Sequence, residues 1–125
     1  MPKRVLVVDD SIVMRSMIKD IFVSAGYEVA GEAQNGLEAI ERHRQLQPDL
    51  TTMDIVMPFK SGIEATREIV HADPKAVVLM CSALGQESLV MEAIEAGAVD
   101  FVVKPFRADD VLTVVARVLA QRATG

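Results

Sequence analysis

The stretch VLVVDDS, Val5–Ser11, joins four apolar residues to two carboxylates and a hydroxyl. A run of β-branched residues and leucine predicts a strand that is buried on both faces. Asp9 and Asp10 follow this strand directly. Two adjacent negative charges at the edge of a core are unfavourable unless a positive group lies nearby. The stretch therefore predicts a central strand whose carboxyl end needs a positive partner.

Short apolar runs alternate along the chain with longer segments of helical periodicity. The predicted strands are 4–8, 27–33, 49–53, 76–80 and 100–103, and the predicted helices are 12–25, 37–46, 62–71, 86–96 and 108–122. This alternation indicates a parallel sheet with helices on both faces. Residues 1–125 are therefore expected to form one α/β domain, a doubly wound, five-stranded, flavodoxin-like (βα)5 fold with strand order 2-1-3-4-5.

The composition excludes several classes of protein. Half of the 125 residues are hydrophobic and 25% are charged, which is typical of a globular domain. The net charge of −5 argues against nucleic acid and against an anionic membrane surface as partners. No run has the length of a membrane span or of a signal-peptide core, so a cytoplasmic protein is expected. Cys81 is expected to be a buried reduced thiol, and His43 and His71 are expected to be solvated.

Polar residues come just after the predicted strands, where ligands bind in sheets of this type. Asp9 and Asp10 follow strand 1, Asp54 follows strand 3, Ser82 follows strand 4 and Lys104 follows strand 5. Helix capping by Asp10 or Ser11 would explain one polar residue, but not two acids together with Asp54. Three converging carboxylates require a hard divalent cation, and Mg²⁺ is the obvious one. A carboxylate, Mg²⁺, a hydroxyl and a lysine are the groups needed to receive a phosphoryl group.

Four blocks carry a resemblance to a known family: VLVVDDS, MDIVMP, CSA and DFVVKPF. In this order and spacing they resemble the signature of response regulator receiver domains, from Arg4 to about Leu119. The second half of the chain is most similar to stand-alone chemotaxis regulators of the CheY type. The resemblance implies a regulator of a two-component system rather than an enzyme, although such a regulator assists its own phosphorylation and dephosphorylation.

The resemblance also implies roles for matching residues. Asp54 is implied to accept a phosphoryl group from a histidine kinase. The implied Mg²⁺ ligands are Asp10 and Asp54 directly, Asp9 largely through water, and the backbone carbonyl of Val56. The implied phosphoryl-binding and switch residues are Ser82, Lys104 and Phe101. Val56 and Leu84 are apolar at two positions that flank the phosphoryl group in the family, which implies slow loss of that group.

The fourth and fifth predicted helices carry more apolar residues than one buried stripe requires. By the resemblance, the exposed apolar residues are expected to be Val90, Ile94, Phe101, Val103 and Val114. They are expected to bind a downstream target, such as a flagellar switch protein, more tightly after phosphorylation of a monomeric regulator. Burial of these residues by neighbouring elements or in a tight dimer is the alternative.

Two other functions compete with this interpretation. The chain could be the receiver domain of a larger response regulator, such as a transcription factor or a methylesterase. It could also be a Mg²⁺-dependent aspartyl phosphohydrolase of the haloacid dehalogenase kind. Those enzymes carry D-x-D on strand 1, whereas Asp9 and Asp10 are adjacent here and Asp54 lies on strand 3. The sequence leaves the kinase, the pathway and the target open.

Overall fold

The computed structural model describes residues 2–83, 85–105 and 107–124, with side chains through Gln121, so that Leu84 lies outside the described residues. The strands are β1 (Arg4–Val8), β2 (Glu28–Ala33), β3 (Leu50–Asp54), β4 (Val78–Ala83) and β5 (Asp100–Lys104). The helices are α1 (Ile12–Ser24), α2 (Gly36–Leu46), α3 (Gly62–Ala72), α4 (Glu87–Ala96) and α5 (Ala108–Thr124). None of the helices in these ranges combines the length and the apolar character that a membrane crossing requires.

The five strands form one parallel sheet in the order β2-β1-β3-β4-β5, as the sequence predicts. Successive residues of β1 point to opposite faces of the sheet. Val5 and Val7 belong to an apolar cluster that includes residues of α1 and α5. Leu6 and Val8 belong to a second cluster that includes residues of α2, α3 and α4. Both faces of the sheet are therefore covered, which confirms the doubly wound, flavodoxin-like architecture.

The largest boundary difference from the sequence prediction is in β4, which was expected over 76–80. The Ala76 N–H donates to the Asp73 carbonyl in the turn before the strand, so β4 begins two residues later. Its pairing with β5 continues beyond the apolar run, because Ser82 is in register with Val103 and Ala83 is in register with Lys104. Ser82 therefore lies within a strand, where backbone pairing on a neighbouring strand restricts its position.

Side-chain caps determine where the first three helices begin. The Ser11 Oγ accepts a hydrogen bond from the Met14 N–H, and the Asn35 side chain does the same for the Glu38 N–H. Ser61 and Glu64 form a reciprocal capping box at the start of α3. The Ser11 cap restricts the three-residue loop between β1 and α1, which matters because Asp9 and Asp10 lie in it.

The expectation that His43 is solvated is wrong. His43 is 4% exposed, and it shares one buried stripe of α2 with Gly36 and Ala39. A helical repeat places positions four residues apart on the same face, so the burial of Ala39 implies the burial of His43. Burial lowers the pKa of His43, and the negative charge of Asp73 opposes that shift. Cys81 is buried and unpaired, as expected.

The start of α3 lies against the end of β3. The Gly62 N–H donates to the Ile55 carbonyl oxygen at 2.8 Å. A Cβ added to Gly62 would lie 1.9 Å from the carbonyl oxygen of Asp54 and 2.9 Å from its carbonyl carbon. A backbone carbonyl in a paired central strand cannot swing aside as a flexible side chain can. Glycine therefore permits the close approach of α3 to the residue that ends β3.

We expect Gly62→Ala to lower the free energy of unfolding by about 3 kcal/mol, because the new methyl group overlaps backbone atoms. Urea denaturation of the two proteins measures this difference. Gly31→Ala is the matched control, because the added Cβ would meet side-chain ends alone: that of the flexible Leu46 at 2.7 Å and that of Leu6 at an ordinary contact distance of 3.9 Å. The loss in free energy of unfolding for Gly31→Ala is expected to stay below about 1 kcal/mol. Equal losses in the two variants would contradict the close approach.

Candidate functional site

Three carboxylates converge at the carboxyl ends of two neighbouring strands. Asp9 and Asp10 follow β1, and Asp54 is the last residue of β3, which pairs with β1. One oxygen from each of Asp9, Asp10 and Asp54 lies within 4.8 Å of the other two. The convergence predicted from the strand order is therefore present, and it concentrates negative charge at the ends of two neighbouring strands.

Lys104 supplies the positive partner that the first strand needs. Its Nζ atom donates to the Asp9 Oδ2 atom at 2.8 Å and to the Asp54 Oδ1 atom at 3.1 Å. Lys104 ends β5, and β4 separates β5 from β3. The long side chain thus extends past the end of β4 to Asp54, and it also reaches Asp9, which follows β1 on the far side of β3. The peptide bond that follows, Lys104–Pro105, is cis.

Backbone amides hold two of the carboxylates in place. The Asp9 Oδ1 atom accepts the Ser11 N–H at 2.9 Å, and the Asp54 Oδ1 atom accepts the Ile55 N–H at 3.0 Å. Asp9 is 1% exposed, whereas Asp10 is exposed to solvent. The pocket formed by Asp9, Asp10, Asp54 and Lys104 therefore has a fixed, buried interior and an accessible carboxylate, that of Asp10, at its entrance.

The electrostatics of the pocket favour an added cation. Burial raises the pKa of Asp54 to about 6; the positive charge of Lys104 opposes this shift and the negative charge of Asp9 reinforces it. Burial lowers the pKa of Lys104, but its hydrogen bond to Asp9 and the two carboxylate charges outweigh that effect and raise it overall. Burial also raises the pKa of Cys81, which is paired with Asp54 in the sheet, to about 12. The thiol therefore stays neutral beside the site.

The donor set of the pocket fits a hard divalent cation. Three ionised carboxylates and one ammonium leave two net negative charges, which one divalent cation neutralises. Carboxylate and carbonyl oxygens are the ligands that Mg²⁺ takes, usually with several waters. The exposed Asp10 leaves a path for a hydrated ion. Asp9, Asp10 and Asp54 could therefore hold such an ion without rearrangement of the strands.

An apolar cavity of about 230 Å³ lies between β4, α4 and β5, next to the pocket. Ser82 and Phe101 both line this cavity, together with Met91 and Val103. Ser82 is buried, and it directly follows Cys81, the residue in register with Asp54. Phe101 is partly exposed on the edge strand. The structure thus brings the expected hydroxyl and aromatic residue to one cavity, with space for the ring beside them.

The expected partner face needs correction at two of its residues. Val90 is 7% exposed, because α4 buries the stripe Val90, Ala93 and Ala96 against the core. Val114 is half-buried and packs on the cluster that covers the other face of the sheet. Ile94, Phe101 and Val103 are exposed as expected. Met91 is also exposed, although it was not among the residues expected on this face. The surface formed by Met91, Ile94, Phe101 and Val103 is called the output patch below.

The loop between β3 and α3 carries a feature that was not predicted from the sequence. Phe59 is 84% exposed and has a φ of 68°, a conformation that a bulky residue rarely adopts. The Lys60 N–H donates to the Pro58 carbonyl across it at 2.8 Å, and the Lys60 carbonyl accepts the Gly36 N–H at 3.0 Å. The flanking backbone therefore holds the aromatic ring in solvent. The only sequence signal is an aromatic residue after proline in a polar turn.

Comparison with known proteins gives consistent results. The family model described as response regulator receiver domain matches residues 5–116. The chemotaxis protein CheY of Thermotoga maritima is 55% identical over 94% of this chain and 98% of its own length. CheY of Bacillus subtilis is 53% identical over 95% of this chain and 99% of its own length. A crystal structure of the CheX–CheY–BeF3–Mg²⁺ complex from Borrelia burgdorferi is similar with a TM-score of 0.90 and 38% identity, over 94% of this chain and 90% of that chain.

The charge balance of the pocket predicts a pH-dependent effect of Asp54→Asn on the metal-free protein. Since the pKa of Asp54 is raised from 3.8 to about 6, its contribution to stability is present below pH 4 and is lost as the pH rises through 6. We expect Asp54→Asn to raise the free energy of unfolding at pH 7.5 by on the order of 2 kcal/mol, and the gain to shrink toward pH 4.5.

Urea denaturation in the presence of a chelator at both pH values measures this effect. Asp20→Asn, at an exposed acid on α1, is the control and should show no comparable gain. A destabilised Asp54→Asn protein at pH 7.5 would show that the Lys104 ion pair outweighs the burial of the carboxylate.

Proposed function

The chain belongs to the response regulator receiver domain family, and from that premise we propose that Asp54 accepts a phosphoryl group from a histidine kinase. The modification changes the affinity of the output patch for a downstream partner. The single observation that carries the proposal is the convergence of Asp9, Asp10, Asp54 and Lys104 on one pocket. The site serves a two-component signalling switch, in keeping with the similarity to CheY proteins.

The proposed transfer uses the Asp54 carboxylate as the nucleophile. An Asp54 oxygen attacks phosphorus in line, the bond from phosphorus to the donor nitrogen breaks, and the donor imidazole leaves, so that an acyl phosphate is formed. The Lys104 ammonium already lies 3.1 Å from an Asp54 oxygen, where it can neutralise charge on the phosphoryl group. With an Asp54 pKa of about 6, the carboxylate is mostly ionised at neutral pH, as a nucleophile must be.

The proposed cofactor is Mg²⁺. Asp9, Asp10, Asp54 and the backbone carbonyl of Val56 would hold it, and it would supply further charge neutralisation at the phosphoryl oxygens. The Borrelia burgdorferi CheY complex, which contains Mg²⁺ and BeF3, supports this assignment by similarity. Family membership disfavours the phosphohydrolase alternative, and the chain is proposed to act as a regulator rather than as an enzyme that turns over substrates. The apolar Val56 at the entrance is consistent with slow loss of the phosphoryl group.

The proposed switch runs through the cavity between β4, α4 and β5. A phosphoryl group on Asp54 adds negative charge and acceptor oxygens, to which the Ser82 hydroxyl can donate. Movement of Ser82 toward the pocket enlarges the cavity on the side of Phe101, and the ring can turn inward. Phe101 belongs to the output patch, so its rotation changes the shape of the surface that a partner contacts. The partner is proposed to be a short amphipathic segment, because the patch is small and apolar.

The proposed transfer leads to a prediction about the acceptor residue. Acetyl phosphate is expected to add one phosphoryl group to the wild-type protein, only in the presence of a divalent cation, because the carboxylate cluster needs neutralisation before an anion can approach. Intact-mass spectrometry measures the added mass. Asp54→Ala should remain unmodified, and Asp20→Asn, which alters an acid far from the pocket, should react like wild type. Addition to the Asp54→Ala protein at the wild-type rate would reject the assignment.

The proposed switch leads to a prediction about the coupling of Ser82 to Phe101. Beryllofluoride with Mg²⁺ is expected to shift the aromatic NMR resonances of Phe101 toward those of a buried ring. In Ser82→Ala the mimic should still bind at Asp54, but the Phe101 shift should fall by at least half, because the hydroxyl that links the two is gone. Ser88→Ala, at an exposed serine of α4, is the matched control and should behave like wild type. A full Phe101 shift in Ser82→Ala would show that the ring moves without the Ser82 hydroxyl, and would contradict the coupling.

A further inference from the structure

Arg15 contacts the backbone of the acidic turn. It lies on the second turn of α1, and its Nη1 atom donates to the carbonyl oxygen of Asp9 at 2.7 Å. Its Nε atom donates to the Glu32 carboxylate of β2 at 3.0 Å. The Arg15 side chain is only 12% exposed, so most of its surface is buried. A buried guanidinium that bridges a helix, a strand and the turn between them holds all three in one geometry.

The contact of Arg15 with the Asp9 carbonyl lies just beyond the point where strand pairing ends. The pairing of β1 with β2 ends at Val8 and Ala33, and the Asp9 N–H still donates to the Ala33 carbonyl at 3.1 Å. Beyond that bond, the chain leaves the ladder and turns toward α1. The Asp9 carbonyl would then have no strand partner, and Arg15 supplies one. Each backbone polar group of Asp9 therefore has a partner, and so do both of its carboxylate oxygens.

We infer that Arg15 is a positioning residue for the divalent-cation pocket, acting through the Asp9 carbonyl to hold Asp9 and Asp10 in the geometry that binds the ion. The inference rests on the proposed function, which places a cation there. Arg15 does not touch the reacting atoms; it restricts the turn that carries two of the three carboxylates. Glu32 orients the guanidinium, and so contributes one step further from the ion.

A positioning role and a simple charge effect of Arg15 predict opposite changes in Mg²⁺ affinity. Arg15 is positively charged, so removing it should make the pocket more negative and bind a cation more tightly. If Arg15 acts by holding the turn, its removal should weaken binding, because the carboxylates must then be ordered by the ion itself. The sign of the change in Mg²⁺ affinity therefore separates a positioning role from a general charge effect. A residue that only stabilises the fold would not weaken Mg²⁺ binding to the folded protein.

The chain offers a matched control for charge and for stability. Lys19 lies one helical turn after Arg15 on α1, and its Nζ atom donates to the other Glu32 oxygen at 2.8 Å. Lys19→Met removes the same unit of charge and a bond to the same acid, but it leaves the Arg15 contact with Asp9 in place. A second variant, Arg15→Lys, keeps the charge. The lysine ammonium lacks the planar guanidinium with which Arg15 donates to the Asp9 carbonyl and to Glu32 at the same time.

The experiment is a titration of each metal-free protein with Mg²⁺ alone, followed by the NMR resonances of the Asp10 and Ser11 amides. Arg15→Met is expected to raise the Kd for Mg²⁺ about three- to tenfold, below the change typical of residues that bond a metal ligand's own side chain. Arg15→Lys should also raise it by at least twofold. Lys19→Met should leave it unchanged or lower it. Acetyl phosphate reactivity of Lys19→Met at saturating Mg²⁺ should match that of the wild-type protein.

Three outcomes would overturn the inference: a Kd in Arg15→Met at or below the wild-type value, a rise in Lys19→Met equal to that in Arg15→Met, or wild-type affinity in Arg15→Lys. If Arg15→Met does not fold, Arg15→Lys and Lys19→Met decide the question by themselves. The wild-type titration tests the proposed metal site separately. Absence of Mg²⁺ binding there would reject that site, whereas equal binding in wild type and Arg15→Lys would reject only the role of Arg15.

Discussion

The ion pairs of Lys104 with Asp9 and Asp54 are the interaction on which the rest of the site depends. Three carboxylates within 4.8 Å repel one another, and the fold places them there at the ends of two central strands. One half-buried ammonium offsets part of that repulsion. Buried ion pairs contribute little net stability, because the charges lose their hydration. The arrangement is therefore better understood as a cluster that could hold a metal ion than as a device for stabilising the fold.

The same strand that carries the ammonium also carries the proposed output. Side chains alternate along β5, so Lys104 and Val102 point to one face, and Phe101 and Val103 point to the other. Lys104 reaches the pocket, while Phe101 and Val103 line the cavity and belong to the output patch. A change at Asp54 can thus act on both sides of one short edge strand. The cavity beside it matters because a packed core would leave no space for a ring to change its position.

Most of the architecture could be predicted because it follows from local patterns. Val5–Val8 is apolar without interruption, and the alternation of such runs with helical periodicity leaves few topologies. The predictions of exposure that were wrong depend on which side of a helix faces the core. The helix α4 has apolar residues around most of its circumference, so periodicity could not show that Val90 is buried while Met91 is exposed. His43 is polar, yet its neighbours on α2 bury it.

The strand order and the identity of the converging acids follow from patterns in the sequence, because parallel strands bring their carboxyl ends to one edge. The contacts that hold those acids depend instead on how the helices and strands pack. The contact of Lys104 with Asp9 joins residues 95 positions apart, and the support of the Asp9 carbonyl by Arg15 depends on the orientation of α1 against β2. Neither distance is encoded in local periodicity, because each results from the packing of elements that are formed separately along the chain.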